Sequence, residues 1–119
     1  MKKVLIIEED LNIGEIFSLV LSEHFFVKIL YTINNAYFEI EKFQPDLLLL
    51  DHWLGIAKLS SLIVKLKNEK QLANIPIIIS STDDRIKEVA EQLEADSCLS
   101  KPFDLDHLLE LVREHLELR

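Results

Sequence analysis

Four short polar stretches hold the residues able to do chemistry: Glu8-Glu9-Asp10, Asp51-His52-Trp53, Ser80-Ser81-Thr82 and Lys101-Pro102-Phe103. Each directly follows an aliphatic or mixed apolar run that reads as a strand. If those strands are parallel, their carboxyl-end loops meet at one edge of a sheet, and several carboxylates, a hydroxyl and an ammonium share a small volume. Two carboxylates about 4 Å apart repel by roughly 4 kcal/mol at an effective dielectric near 20. Lys101 supplies one compensating charge, and a hard divalent cation with oxygen ligands, Mg²⁺ by its chemistry, can supply the rest. An aspartate so neutralised is a competent nucleophile toward a phosphoryl group, giving an acyl phosphate, and Asp51 is placed to be that nucleophile.

The elements that must position these groups alternate along the whole chain. Val4-Leu5-Ile6-Ile7, Leu47-Leu48-Leu49-Leu50 and Ile77-Ile78-Ile79 lack polar alternation, as central parallel strands covered on both faces do. The runs from Phe26 to Tyr31 and at Cys98-Leu99 are more mixed and fit strands nearer the edges. Between them lie amphipathic helical patterns: Ile13, Ile16, Phe17, Val20 and Leu21; Ala36 to Phe43; Leu59, Leu62, Ile63 and Leu66; Arg85 to Leu93; and Leu105, Leu108, Leu109, Val112 and Leu116. Asn12 with Glu15 resembles a capping box, while Asp10 is an equally good helix start or a cation ligand. The second helix ends before Gln44-Pro45, because the residue preceding proline is pushed out of helical geometry. Five βα units with helices on both faces make an α/β, right-handed, doubly wound sheet.

Composition narrows the function classes. A chain of 119 residues with 49% apolar content holds one core without staples, and the single cysteine, Cys98, excludes an internal disulfide. A net charge of −8 opposes any broad electrostatic grip on nucleic acid or anionic lipid. The first apolar run is too short to span a membrane, so a cytoplasmic setting, with no membrane and no direct nucleic-acid partner, is the expectation.

The motifs Lys3-Val-Leu-Ile-Ile-Glu-Glu-Asp10, Pro45-Asp-Leu-Leu-Leu-Leu-Asp51, Ile75-Pro-Ile-Ile-Ile-Ser-Ser81 and Lys101-Pro-Phe103 resemble, with unbroken spacing, the receiver domain of bacterial response regulators in two-component phosphorelay signalling. The resemblance implies one receiver domain over residues 1–119, a flavodoxin-like (βα)5 three-layer sandwich with a five-stranded parallel sheet in the order 2-1-3-4-5. It implies that Asp51 is the phosphoacceptor, that Glu8, Glu9, Asp51 and the Trp53 backbone carbonyl hold Mg²⁺, with Mn²⁺ able to substitute, and that Ser81 bonds and Lys101 pairs with the phosphoryl group. It also implies a cis Lys101–Pro102 bond, a histidine kinase or phosphotransfer protein as donor, a downstream protein partner, and a homodimer face made by the fourth helix, fifth strand and fifth helix. Such a domain is a switch rather than an enzyme, catalysing at most its own phosphorylation and dephosphorylation.

The chain departs from the family pattern in places. Glu9 stands where the family has aspartate, and one extra methylene in a fixed loop is expected to weaken Mg²⁺ binding. Cys98 replaces the usual aromatic switch residue, Thr82 replaces a small residue, and Trp53-Leu54-Gly55 with Leu59 alters the loop after Asp51. These departures favour the rival reading, a pseudo-receiver that binds proteins without efficient phosphorylation. A flavodoxin-like cofactor enzyme fits poorly, because the first loop is three acids rather than small residues that admit a phosphate. Taken singly, His52 reads as a solvent-facing side chain, Trp53 as a loop cover, Cys98 as a buried hydrophobe, Asp46 as structural, and Leu111 with Leu118 as off-stripe leucines marking a partner surface.

Overall fold

The computed structural model describes residues 1–116; Leu118 lies outside the described residues. In chain order the elements are β1 (Lys3–Ile7), α1 (Leu11–Leu21), β2 (Phe26–Leu30), α2 (Ala36–Phe43), β3 (Leu47–Asp51), a 3₁₀ turn (His52–Leu54), α3 (Ile56–Lys67), β4 (Ile77–Ser81), α4 (Ile86–Gln92), β5 (Ser97–Ser100) and α5 (Leu105–Leu116). Every strand pair is parallel, and the order β2-β1-β3-β4-β5 is the doubly wound topology the sequence implies.

Strand side chains alternate between faces, and here the alternation divides the core in two. Leu5, Ile7, Leu48, Leu50, Ile77 and Ile79 pack under α2, α3 and α4. Val4, Ile6, Leu47, Leu49, Ile78 and Leu99 pack under α1 and α5. The register is fixed at the amino edge by a repeated device. Asp46 and Asp96, each just before a strand, accept the backbone N–H of Lys3 (2.7 Å) and Ile77 (2.8 Å) on the neighbouring strand. Asp46 is thus structural, as its position implies.

Three helix expectations change. The inner line of α1 runs Gly14, Phe17, Leu21, and Ile16 is 43% exposed. On α5 the buried arc is Leu108, Leu111, Val112 and Leu116, while Leu105 is exposed. Leu111 therefore marks no open partner surface; α5 packs on both the sheet and α1, which widens its buried arc. Asp10, not Asn12, caps α1, accepting the N–H groups of Asn12 and Ile13. Cys98 is only partly buried, against the α2–α4 side of the core. Among the described residues no helix is long and apolar enough to cross a membrane.

Gly14 sets how closely α1 approaches the sheet. A β-carbon there would lie 2.8 Å from Ile29 Cδ1 and 2.9 Å from Tyr31 Cε1. The expected outcome of Gly14→Val is a loss of about 1–3 kcal/mol from overpacking, despite valine's better helix propensity. Urea unfolding monitored by circular dichroism checks this as a lower midpoint at unchanged slope.

Candidate functional site

The register that aligns Ile7 with Leu50 brings the next residues, Glu8 and Asp51, side by side on the α1/α5 face of adjacent central strands. Both are buried. Lys101, just past β5, reaches across the carboxyl edge and places its Nζ 2.8 Å from Glu8 Oε1 and 3.3 Å from Asp51 Oδ1. The turn carrying it is anchored on both sides. The Lys101 N–H bonds the Ser81 carbonyl at 2.8 Å, and Phe103 stacks on Phe17 of α1 with centroids 5.0 Å apart. The Lys101–Pro102 bond is cis, as the resemblance implies.

Two further backbone groups orient the carboxylates. Asp10 N–H donates to Glu8 Oε2 at 3.1 Å, and Trp53 N–H donates to Asp51 Oδ1 at 3.1 Å. One lysine does not neutralise two buried acids. Burial, then a side-chain hydrogen bond with Asp51, push the Glu8 carboxyl up to about 7, outweighing the opposite pull of Lys101. A buried acid so poised has hard oxygen donors and an excess of negative charge, the chemistry that suits a divalent cation.

The remaining expected site residues are placed unevenly. Glu9, the next residue after Glu8, is exposed. Asp10 is engaged as the α1 cap. Among the described residues no three carboxylate, imidazole or thiolate groups gather as a complete cation cage. Ser81 is fully buried, and its hydroxyl accepts the Asp83 N–H at 2.9 Å. His52, expected to face solvent, is instead buried, with Nδ1 2.7 Å from Ser81 Oγ. Trp53 is 57% exposed, stacks on His52 at 4.9 Å, and donates its Nε1–H to Thr82 Oγ1 at 3.2 Å. The sequence signal for His52 was its parity: it follows Leu48 and Leu50, both buried on the α2–α4 face.

Fold and edge together define the CheY-like class of α/β sandwich. The chain belongs to the response regulator receiver domain family, whose model matches residues 4–113. The transcriptional regulatory protein CpxR homolog of Haemophilus influenzae is 30% identical over 118 residues, covering 95% of this chain and 49% of that protein. This chain spans about half the length of the curated relatives it matches. Among solved structures, a response-regulator-receiver-modulated diguanylate cyclase from Pelobacter carbinolicus is 30% identical, with a TM-score of 0.77 over 99% of this chain and 94% of that one. The receiver domain of a sensor histidine kinase from Pseudomonas aeruginosa, with magnesium coordinated in its active-site cleft, has a TM-score of 0.82 over 95% of each chain. At 18% identity that likeness is one of fold.

The raised Glu8 carboxyl has a consequence for stability. Above the ordinary value of 4.5 and up to about 7 the folded chain holds a proton at Glu8 that the unfolded chain releases, so stability falls as pH rises through that window. With chelator present to remove divalent ions, the loss attributable to Glu8 is on the order of 3 kcal/mol. Glu8→Gln is expected to remove that slope. Urea midpoints of both proteins between pH 4.5 and 7.5 check it; parallel curves would contradict the assignment.

Proposed function

We propose that the chain is a phosphoacceptor switch of two-component signalling, taking a phosphoryl group on Asp51 from a histidine kinase or phosphotransfer protein. The observation that carries this reading is the buried Glu8–Lys101–Asp51 cluster at the carboxyl edge of a receiver sheet. Asp51 Oδ1 is fixed by Lys101 and the Trp53 N–H, which aims the carboxylate. In the transfer, an Asp51 oxygen bonds phosphorus as the P–N bond of the donor phosphohistidine breaks, and the imidazole leaves with the bonding electron pair. Lys101 stays beside the new phosphoryl oxygens and offsets their charge. Ser81, at the end of β4, donates its hydroxyl to the phosphoryl group and couples it to α4 by population shift.

Glu8 and Asp51 are the buried donors that fit Mg²⁺, joined by the Trp53 backbone carbonyl and by the exposed Glu9. When bound, the ion supplies positive charge to the phosphoryl oxygens. The signalling output goes to a downstream protein partner in the cytoplasm, with the face of α4, β5 and α5 serving a homodimer.

Incubation with phosphoramidate and Mg²⁺ is expected to add one phosphoryl mass by intact mass spectrometry, and Asp51→Asn is expected to abolish it. No Asp51-dependent gain, also with Mn²⁺, would favour the pseudo-receiver. Mg²⁺ titration followed by the fluorescence of Trp53, the only tryptophan, is expected to half-saturate above about 1 mM, since Glu9 is one methylene longer than the aspartate the family has there. Tighter binding would count against that effect of Glu9.

A further inference from the structure

The two residues after the acceptor each bond one of two successive residues at the end of β4. His52 Nδ1 meets the Ser81 hydroxyl, and the Trp53 indole meets the Thr82 hydroxyl, with the two rings stacked at an interplanar angle of 26°. The contact follows from register. Asp51 pairs with Ser80, so His52 and Ser81 come next on adjacent strands and share the α2–α4 face, opposite the face that Asp51 shares with Glu8 and Lys101.

A serine hydroxyl has one proton to give and two lone pairs to fill. The Asp83 N–H takes one lone pair of Ser81. In the tautomer that carries its proton on Nε2, Nδ1 accepts, so the single hydroxyl proton goes to His52 and none remains for another acceptor; in the other tautomer Nδ1 donates and that proton stays free.

We propose that His52, as the Nε2–H tautomer, is a positioning residue that holds the Ser81 hydroxyl toward α4, so that Ser81 engages a phosphoryl group on Asp51 only by exchanging the His52 bond for it. The inference rests on the phosphoacceptor reading given above. His52 borders a cavity of about 150 Å³ lined also by Ile56, Asp83, Arg85 and Glu88, which gives the ring room to withdraw. The Trp53–Thr82 bond keeps the two loops joined while the inner bond opens. His52 thus acts as a brake on acceptance.

The test compares wild type, His52→Leu, His52→Asn and Ser81→Ala, with His52→Leu also made in the Ser81→Ala background. Each is incubated with Mg²⁺ and phosphoramidate, and the rate of phosphoryl gain is read by intact mass. A single neutral hydrogen bond sets the scale at about fivefold, so His52→Leu is expected to gain phosphate roughly fivefold faster than wild type. Asparagine, whose amide oxygen stands near the place of Nδ1, is expected to return toward the wild-type rate. In the Ser81→Ala background His52→Leu is expected to change nothing, a result that a merely structural role for the ring would not give. Wild type phosphorylated as fast as His52→Leu, or the same acceleration in the Ser81→Ala background, overturns the inference alone. If neither wild type nor His52→Leu gains an Asp51-dependent phosphoryl group, the phosphoacceptor reading fails and the brake with it.

Discussion

The burial of two carboxylates against one ammonium is the constraint on which the rest of the site depends. Glu8 and Asp51 sit on adjacent central strands with Lys101 between them, all three almost wholly out of solvent. Desolvating a charge costs far more than a surface ion pair returns, so such a group is stable only with close partners on every side. The backbone N–H groups of Asp10 and Trp53 complete those partners, and no buried polar side-chain atom among the described residues lacks a hydrogen bond. What remains uncompensated is chiefly the lost hydration of Glu8, and with the hydrogen bond to Asp51 it raises the Glu8 carboxyl. A ligand that brings positive charge would offset that burial.

The two-residue period of the strands then sorts the chemistry by face. One face receives Glu8 and Asp51 with Lys101, and the other receives His52 with Ser81. Asp51 and Ser81, the proposed acceptor and its proposed responder, thus lie on different sides of the sheet plane. The 3₁₀ turn after β3 spans that gap, since its first residue belongs to one face and its neighbour Asp51 to the other.

Much of this was legible in the sequence. Aliphatic runs without polar alternation fit a parallel sheet covered on both faces, and the polar stretches that follow them hold Glu8, Asp51 and Lys101, while Ser81 is singled out by the family resemblance. What escaped was orientation. His52 reads as solvent-facing because β3 parity, which places it with Leu48 and Leu50, carries past Asp51 only if a tight turn follows the strand at once. The α5 stripe holds at Leu108, Val112 and Leu116 but takes in Leu111 in place of Leu105, because its second neighbour, α1, is fixed by tertiary packing. Gly14 gave no warning of its close approach to Ile29 and Tyr31, for a glycine inside a helix pattern reads first as a weakness in that helix.

The span of the central ion pairs bears on how the molecule assembles. Lys101 is 93 residues from Glu8 and 50 from Asp51. Closing loops of that length carries an entropic cost that local contacts do not share. An intermediate in which β1 and β3 have docked before β5 arrives would enclose two acids with no ammonium beside them. Such a state would be penalised until β5 docked, so the same lysine would link the arrival of the fifth strand to the burial of both acids.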